Sequence, residues 1–200
     1  TLHEQHGVAI ALNVGDLLIG EGYRLLRATQ VSPLQTAALL HAAAEGHRRL
    51  CLGQGEELFW RRHPSPLTAR QVLNIFRQKT APAFEVALRL GAIYAGRHEP
   101  VSDALGAYSD ALGIAYQIRD DIEDFHDGKL DAMEPNLLLA LAHERTGNAP
   151  LTAAQVRELG VEDRARTLLE SYKQEAVRSL RDVPSANLKG QNLLNSIEQA

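Results

Sequence analysis

Hydrophobic positions recur at helical spacing along almost the whole chain, interrupted only by short clusters of proline, glycine and charge. The spacing predicts helices over 7–29, 34–60, 68–95, 102–126, 135–146, 152–159 and 162–182, with a shorter one near 186–199. Several starts are spelled out locally. Ser32-Pro33-Leu34-Gln35 supplies a hydroxyl N-cap, proline at the first helical position and a capping-box glutamine. Thr68-Ala69-Arg70-Gln71 and Thr152-Ala153-Ala154-Gln155 carry the same box. Breaks are expected at Pro64 and Pro66, at His98–Pro100, at Gly147–Pro150 and at Pro184. Pro82 falls inside the third segment, where its missing N–H predicts a kink or a restarted helix. No strand-like alternation is long enough to build a sheet, and there is no internal repeat. The pattern predicts an all-α, single-domain helical bundle spanning residues 1–200.

Composition agrees with this. The 200 residues are 44% hydrophobic but only 5% aromatic, and alanine and leucine outweigh β-branched runs. A formal charge of −4 leaves no basic footprint for nucleic acid. No apolar run reaches the ~18 residues of a membrane span, and no signal-peptide pattern opens the chain, so a cytoplasmic protein is expected. The single cysteine, Cys51, reads as buried apolar filler within RRLCLG.

The chemistry concentrates in GIAYQIRDDIEDF, residues 113–125. Ile118, Ile122 and Phe125 share one helix face and predict a core stripe, while Gln117, Asp120, Asp121 and Asp124 lie on the opposing arc. Asp120 and Asp124 are four apart, Asp121 and Asp124 three apart, so their oxygens can converge. Like charges at these spacings, near a helix C-terminus, work against both side-chain pairing and the helix dipole. A cation offsets both, and convergent carboxylates suit Mg²⁺. The competing reading is a solvated acidic face partly neutralised by Arg119 and Lys129. A second feature is Lys79-Thr80 within the otherwise apolar IFRQKTAPAFEVALRLGA. That lysine is either a snorkelling surface residue or a charge-assisted donor to a diphosphate.

Four segments in order resemble the trans-isoprenyl diphosphate synthases, the polyprenyl synthetase family. They are HGVAIALNVGDLLIGEGYRLL with Gly15-Asp16, CLGQGEELFW with Gly53-Gln54, the Lys79-Thr80 segment, and LGIAYQIRDDIEDF, which is similar to that family's second aspartate-rich motif. The resemblance implies an all-α fold around a central cavity, usually dimeric. It also implies Mg²⁺-dependent condensation of an allylic diphosphate with isopentenyl diphosphate to a longer polyprenyl diphosphate. Carried over residue by residue, Asp120, Asp121 and Asp124 would take Mg²⁺. Lys79 would contact the allylic diphosphate, with Thr80 and Gln117 beside it. Lys79, Asp120 and Asp121 would carry the catalysis.

The chain also departs from the family. The family's first aspartate-rich motif and the arginine pair after it precede the segment resembling Thr1–Gly7, so the resemblance is to the C-terminal two-thirds, without the N-terminal helices. Glu57 stands where the family usually has Asp after the Gly-Gln pair, and no role is assigned to it. The loop FHDGKLDAMEPN is short, leaving Gly128-Lys129, and Asp131 more weakly, to match the family's Gly-Lys and Asp; Lys129 is a candidate second diphosphate contact. These departures motivate an alternative, a non-catalytic relative that binds a partner synthase. A third reading takes Glu123-x-x-His126 as half of a ferritin-like di-iron site. His3, His6, His41 and His47 do not form a zinc pattern. Product length depends on the cavity floor and is not legible.

Overall fold

In the computed structural model, residues 1–181 are described, apart from 97, 132, 148 and 149 and the side chains of 98 and 100. Every regular element described is a helix: α1 Leu2–His6, α2 Val8–Arg27, α3 Pro33–Arg62, α4 Ala69–Tyr94, α5 His98–His126, α6 Leu137–Thr146, α7 Ala153–Glu158 and α8 Glu162–Arg181. The three capping boxes start α3, α4 and α7. Ser32, Thr68 and Thr152 accept from the amides of Gln35, Gln71 and Gln155 respectively. The predicted segment near 186–199 and the break at Pro184 lie outside the described residues.

Three expectations about the helices need correction. A short helix, α1, precedes the first predicted one, and Gly7 at φ 85° separates it from α2. His98–Pro100 form the first turn of α5 rather than a break. Proline is tolerated in a first turn because the N–H it lacks has no helical partner there. Helix α4 neither stops nor restarts at Pro82. Ala81 and Pro82 are fully buried, and packing on both flanks overrides the lost hydrogen bond.

Helices α3, α4 and α5 lie side by side, with α8 against α5 and α6 inserted at one end. Gln35 at the start of α3 donates to the Ile93 carbonyl at the end of α4 at 3.1 Å, which makes the two antiparallel. The core gathers at the other end of that pair. Phe76 of α4, Ile114, Ile118, Ile122 and Phe125 of α5, and Val156 of α7 close around α6. Leu137 to Ala142 are buried without interruption, so the first six residues of α6 are enclosed on every side. Burying each large side chain of this set contributes roughly 1.5–3 kcal/mol. The predicted stripe of Ile118, Ile122 and Phe125 is buried as read.

Helix α2 contributes no buried residue, and Leu12, Leu17, Leu18 and Leu25 are exposed along it. The outward side of α3 is likewise open at Leu52, Leu58 and Phe59. Cys51 sits on that side and is exposed, contrary to its reading as filler. No helix among the described residues is long and apolar enough to cross a membrane.

Candidate active site

The site begins with two glycines. A Cβ on Gly53 would lie 2.5 Å from the Gln78 carbonyl oxygen and 2.7 Å from the Lys79 amide nitrogen. Only glycine therefore lets α3 press its backbone against α4 at that level. On the other side of α4, a Cβ on Gly113 would lie 2.7 Å from both the Cα and the nitrogen of Ala81. Helix α4 is clamped between α3 and α5 at the Lys79-Thr80 stretch.

The next turn of α3 beyond Gly53 brings Glu57 opposite Lys79. Lys79 Nζ lies 2.8 Å from Glu57 Oε2, and Arg61 approaches Oε1 of the same carboxylate at 3.1 Å. Glu57 is only 3% exposed, and a buried carboxylate between two cations is the arrangement that offsets its desolvation. The ammonium contact falls outside hydrogen-bonding angles, leaving Oε2 without a directed donor. Arg61 continues to Glu134 at 2.5 Å, tying α3 to the loop before α6. Lys79 is largely buried, lies over the Phe76 ring, and is not the snorkelling surface residue of the competing reading.

Asp120, Asp121 and Asp124 occupy the last turns of α5. Asp121 turns inward, and its Oδ2 accepts the Leu137 amide at 2.6 Å. Asn136 accepts the Leu139 amide at 3.1 Å, so these two residues satisfy open donors at the start of α6. Burial pushes the Asp121 carboxyl up to about 7. The Leu137 amide and the charge of Lys79 pull it down, while Asp124 and Asp120 push it further up. The charge of Lys79 on α4 is thus felt at Asp121 on α5.

The other two aspartates face outward. Asp120 meets Arg119 at 3.3 Å, and Asp124 meets Lys129 at 3.5 Å. Both pairs match the reading of an acidic face partly neutralised by Arg119 and Lys129, but that reading does not account for the burial of Asp121. Lys129 also holds Asp127 at 3.0 Å and is fully committed to carboxylates of its own segment. Among the described residues no three carboxylate, histidine or cysteine groups converge as a metal site. Thr80 and Gln117 are half-buried on α4 and α5. His126 pairs with Glu162 at 2.9 Å and Glu123 with Arg119 at 3.4 Å, so the Glu-x-x-His pair is not arranged as metal ligands.

Glu57 is the residue that sequence reasoning left without a role. The signal available was a carboxylate four before Arg61, the second of the Glu56-Glu57 pair and followed by Leu58, Phe59 and Trp60.

Known proteins resemble this chain in sequence and fold. The chain is 24% identical to a geranylgeranyl diphosphate synthase of Methanosarcina mazei over 94% of its length, which is 65% of that protein. It is 32% identical to an octaprenyl diphosphate synthase of Haemophilus influenzae over 79% of its length and 49% of that protein. The chain therefore spans about half to two-thirds of these relatives. The fold superposes on a geranylgeranyl pyrophosphate synthetase of Geoglobus acetivorans with a TM-score of 0.84 at 22% identity, covering all of this chain and 68% of that one. It also superposes, with a TM-score of 0.78 at 20% identity, on a Helicobacter pylori geranyltransferase complexed with magnesium and isoprenyl diphosphate; that match covers all of this chain and 62% of that one. The sequence profile of the polyprenyl synthetase family matches residues 1–135, a span holding Glu57, Lys79 and the aspartate motif, and the chain belongs to that family.

Proposed function

We propose that this chain carries the allylic-diphosphate side of a prenyltransferase that condenses an allylic diphosphate with isopentenyl diphosphate. The observation that carries the reading is Lys79: a largely buried ammonium whose charge reaches the half-buried Asp121, in a chain of this family.

The residues suit the reaction. The allylic C–O bond breaks and its electron pair leaves with the diphosphate. The π-electrons of isopentenyl diphosphate attack the resulting cation, and a proton is then lost. No protein nucleophile is needed. Lys79 stabilises the charge that builds on the departing diphosphate, in a setting where few waters compete. Thr80 and Gln117, half-buried on α4 and α5, are read as lining the same site, and Lys129 is a weaker second contact because Asp124 and Asp127 already engage it.

The aspartates suit a divalent cation by their charge, although their oxygens do not converge in this structure. Asp120 and Asp124 stand one turn apart with solvent access, and the mutual repulsion that helps raise Asp121 is what a cation relieves. Mg²⁺ held by Asp120, Asp121 and Asp124 would neutralise developing negative charge on the leaving diphosphate. The homodimer expected from the resemblance is supported by the uncovered apolar side of α2.

The test is incorporation of isopentenyl diphosphate into extractable prenyl product by the protein and its Lys79→Ala variant. No incorporation by the unmodified protein, or no loss in the variant, contradicts the proposal.

A further inference from the structure

We infer that Glu57 is a resident counter-ion of the diphosphate site: it occupies Lys79 in the empty protein and competes with the incoming anion for it. This rests on the reading of Lys79 as a diphosphate contact. The geometry carries the rest. Glu57 Oε2 lies 2.8 Å from Lys79 Nζ, closer than Arg61 Nη2 lies to Oε1 at 3.1 Å. The carboxylate is almost wholly buried, so solvent screens its charge poorly, both toward Lys79 and toward an anion bound beside it. A diphosphate oxygen reaching Lys79 comes within a few ångströms of a like charge.

Two features make the contact exchangeable. The approach of Nζ to Oε2 is outside hydrogen-bonding angles, so Glu57 neutralises the ammonium without consuming its N–H donors. Arg61 is already on the other oxygen, so Glu57 keeps a cation when Lys79 turns to a ligand. Arg61 is itself shared with Glu134 in the loop that leads from the aspartate motif to α6. The backbone contact at Gly53, one turn earlier, holds this stretch of α3 close to Lys79. Glu57 is therefore a residue that acts through Lys79, lowering affinity for the anion while offsetting the charge of the lysine in the empty protein.

The experiment is titration of the chain with inorganic pyrophosphate in Mg²⁺, comparing the unmodified protein with Glu57→Gln, Glu57→Asp, Lys79→Ala and the Glu57→Gln/Lys79→Ala pair. Helical content is checked by circular dichroism. Glu57→Gln keeps the shape and removes the charge, and it should bind pyrophosphate about tenfold more tightly. Glu57→Asp, one methylene shorter, draws the charge back from Lys79 and should give a smaller gain. The gain should vanish in the Lys79→Ala background, whereas a diffuse charge effect would persist there. Loss of fold lowers affinity and cannot imitate a gain. Equal or weaker binding by Glu57→Gln, with binding that still depends on Lys79, overturns this inference and leaves the proposed function standing. No binding by either the unmodified protein or Glu57→Gln overturns both.

Discussion

Asp121 accepts the amide of Leu137 at 2.6 Å, so the aspartate motif that ends α5 also caps the buried start of α6. One carboxylate serves the fold and the candidate site together, and its ionisation is costly. Its folded pKa of about 7 stands above the usual carboxylate value of 3.8. A group raised on folding contributes stability that is fully present below its unfolded value and is lost as pH rises through its folded value. Between pH 4 and pH 7 the protein should therefore lose stability at this residue, by something on the order of a few kcal/mol.

Asp121→Asn should remove that loss. The amide oxygen can still accept from Leu137, and no charge is buried. The difference in melting temperature between variant and unmodified protein should widen in favour of the variant from pH 5 to pH 8, in metal-free buffer. A gap that stays constant or narrows would show that Asp121 is not the titrating group.

Gly53 and Gly55 offer a matched pair. Both lie in α3 two residues apart, but a Cβ at Gly53 meets the backbone of Gln78 and Lys79, whereas at Gly55 it meets nothing within 4 Å. Gly55→Ala should stabilise the protein by up to about 1 kcal/mol through helix propensity. Gly53→Ala should destabilise it by roughly 1–3 kcal/mol, because backbone atoms cannot rotate away. Urea denaturation of the two variants reads both numbers, and similar values would contradict the close approach of α3 to α4.

Lys79→Ala should weaken binding of an allylic diphosphate by about 10- to 100-fold, the effect of losing a charge-assisted contact. Lys129→Ala should cost less, since Lys129 is exposed and already paired with Asp124 and Asp127. Calorimetric titration of both variants orders the two lysines. The reverse order would move the diphosphate site toward the α5–α6 loop.

The uncovered leucines of α2 predict association. Light scattering should report a dimer, and Leu18→Asp with Leu25→Asp should shift it toward monomer. A monomer at all concentrations for the unmodified chain would contradict the dimer.

Much of this architecture was legible residue by residue. Helical periodicity and three capping boxes marked the main helices, because both are local properties. The stripe of Ile118, Ile122 and Phe125 followed from spacing alone. What escaped was non-local. Pro82 broke nothing because α3 and α5 hold α4 from both sides, which no window around residue 82 reveals. Cys51 was read as buried from its apolar neighbours, but whether a helix face is covered depends on what packs against it. Asp121 differs from Asp120 and Asp124 through α6, which begins sixteen residues later, and through Lys79 of α4. Glu57 gained its place through the Gly53 contact, and nothing in GQGEELFW states that Lys79 lies opposite.

The most direct measurement is calorimetric titration of this chain with an allylic diphosphate, with and without Mg²⁺, using Asp120→Ala as the control. The account predicts binding that requires Mg²⁺ and weakens at least tenfold in the variant. Binding indifferent to Mg²⁺ and to Asp120, or no binding, would contradict a diphosphate site built on the aspartates of α5 and Lys79.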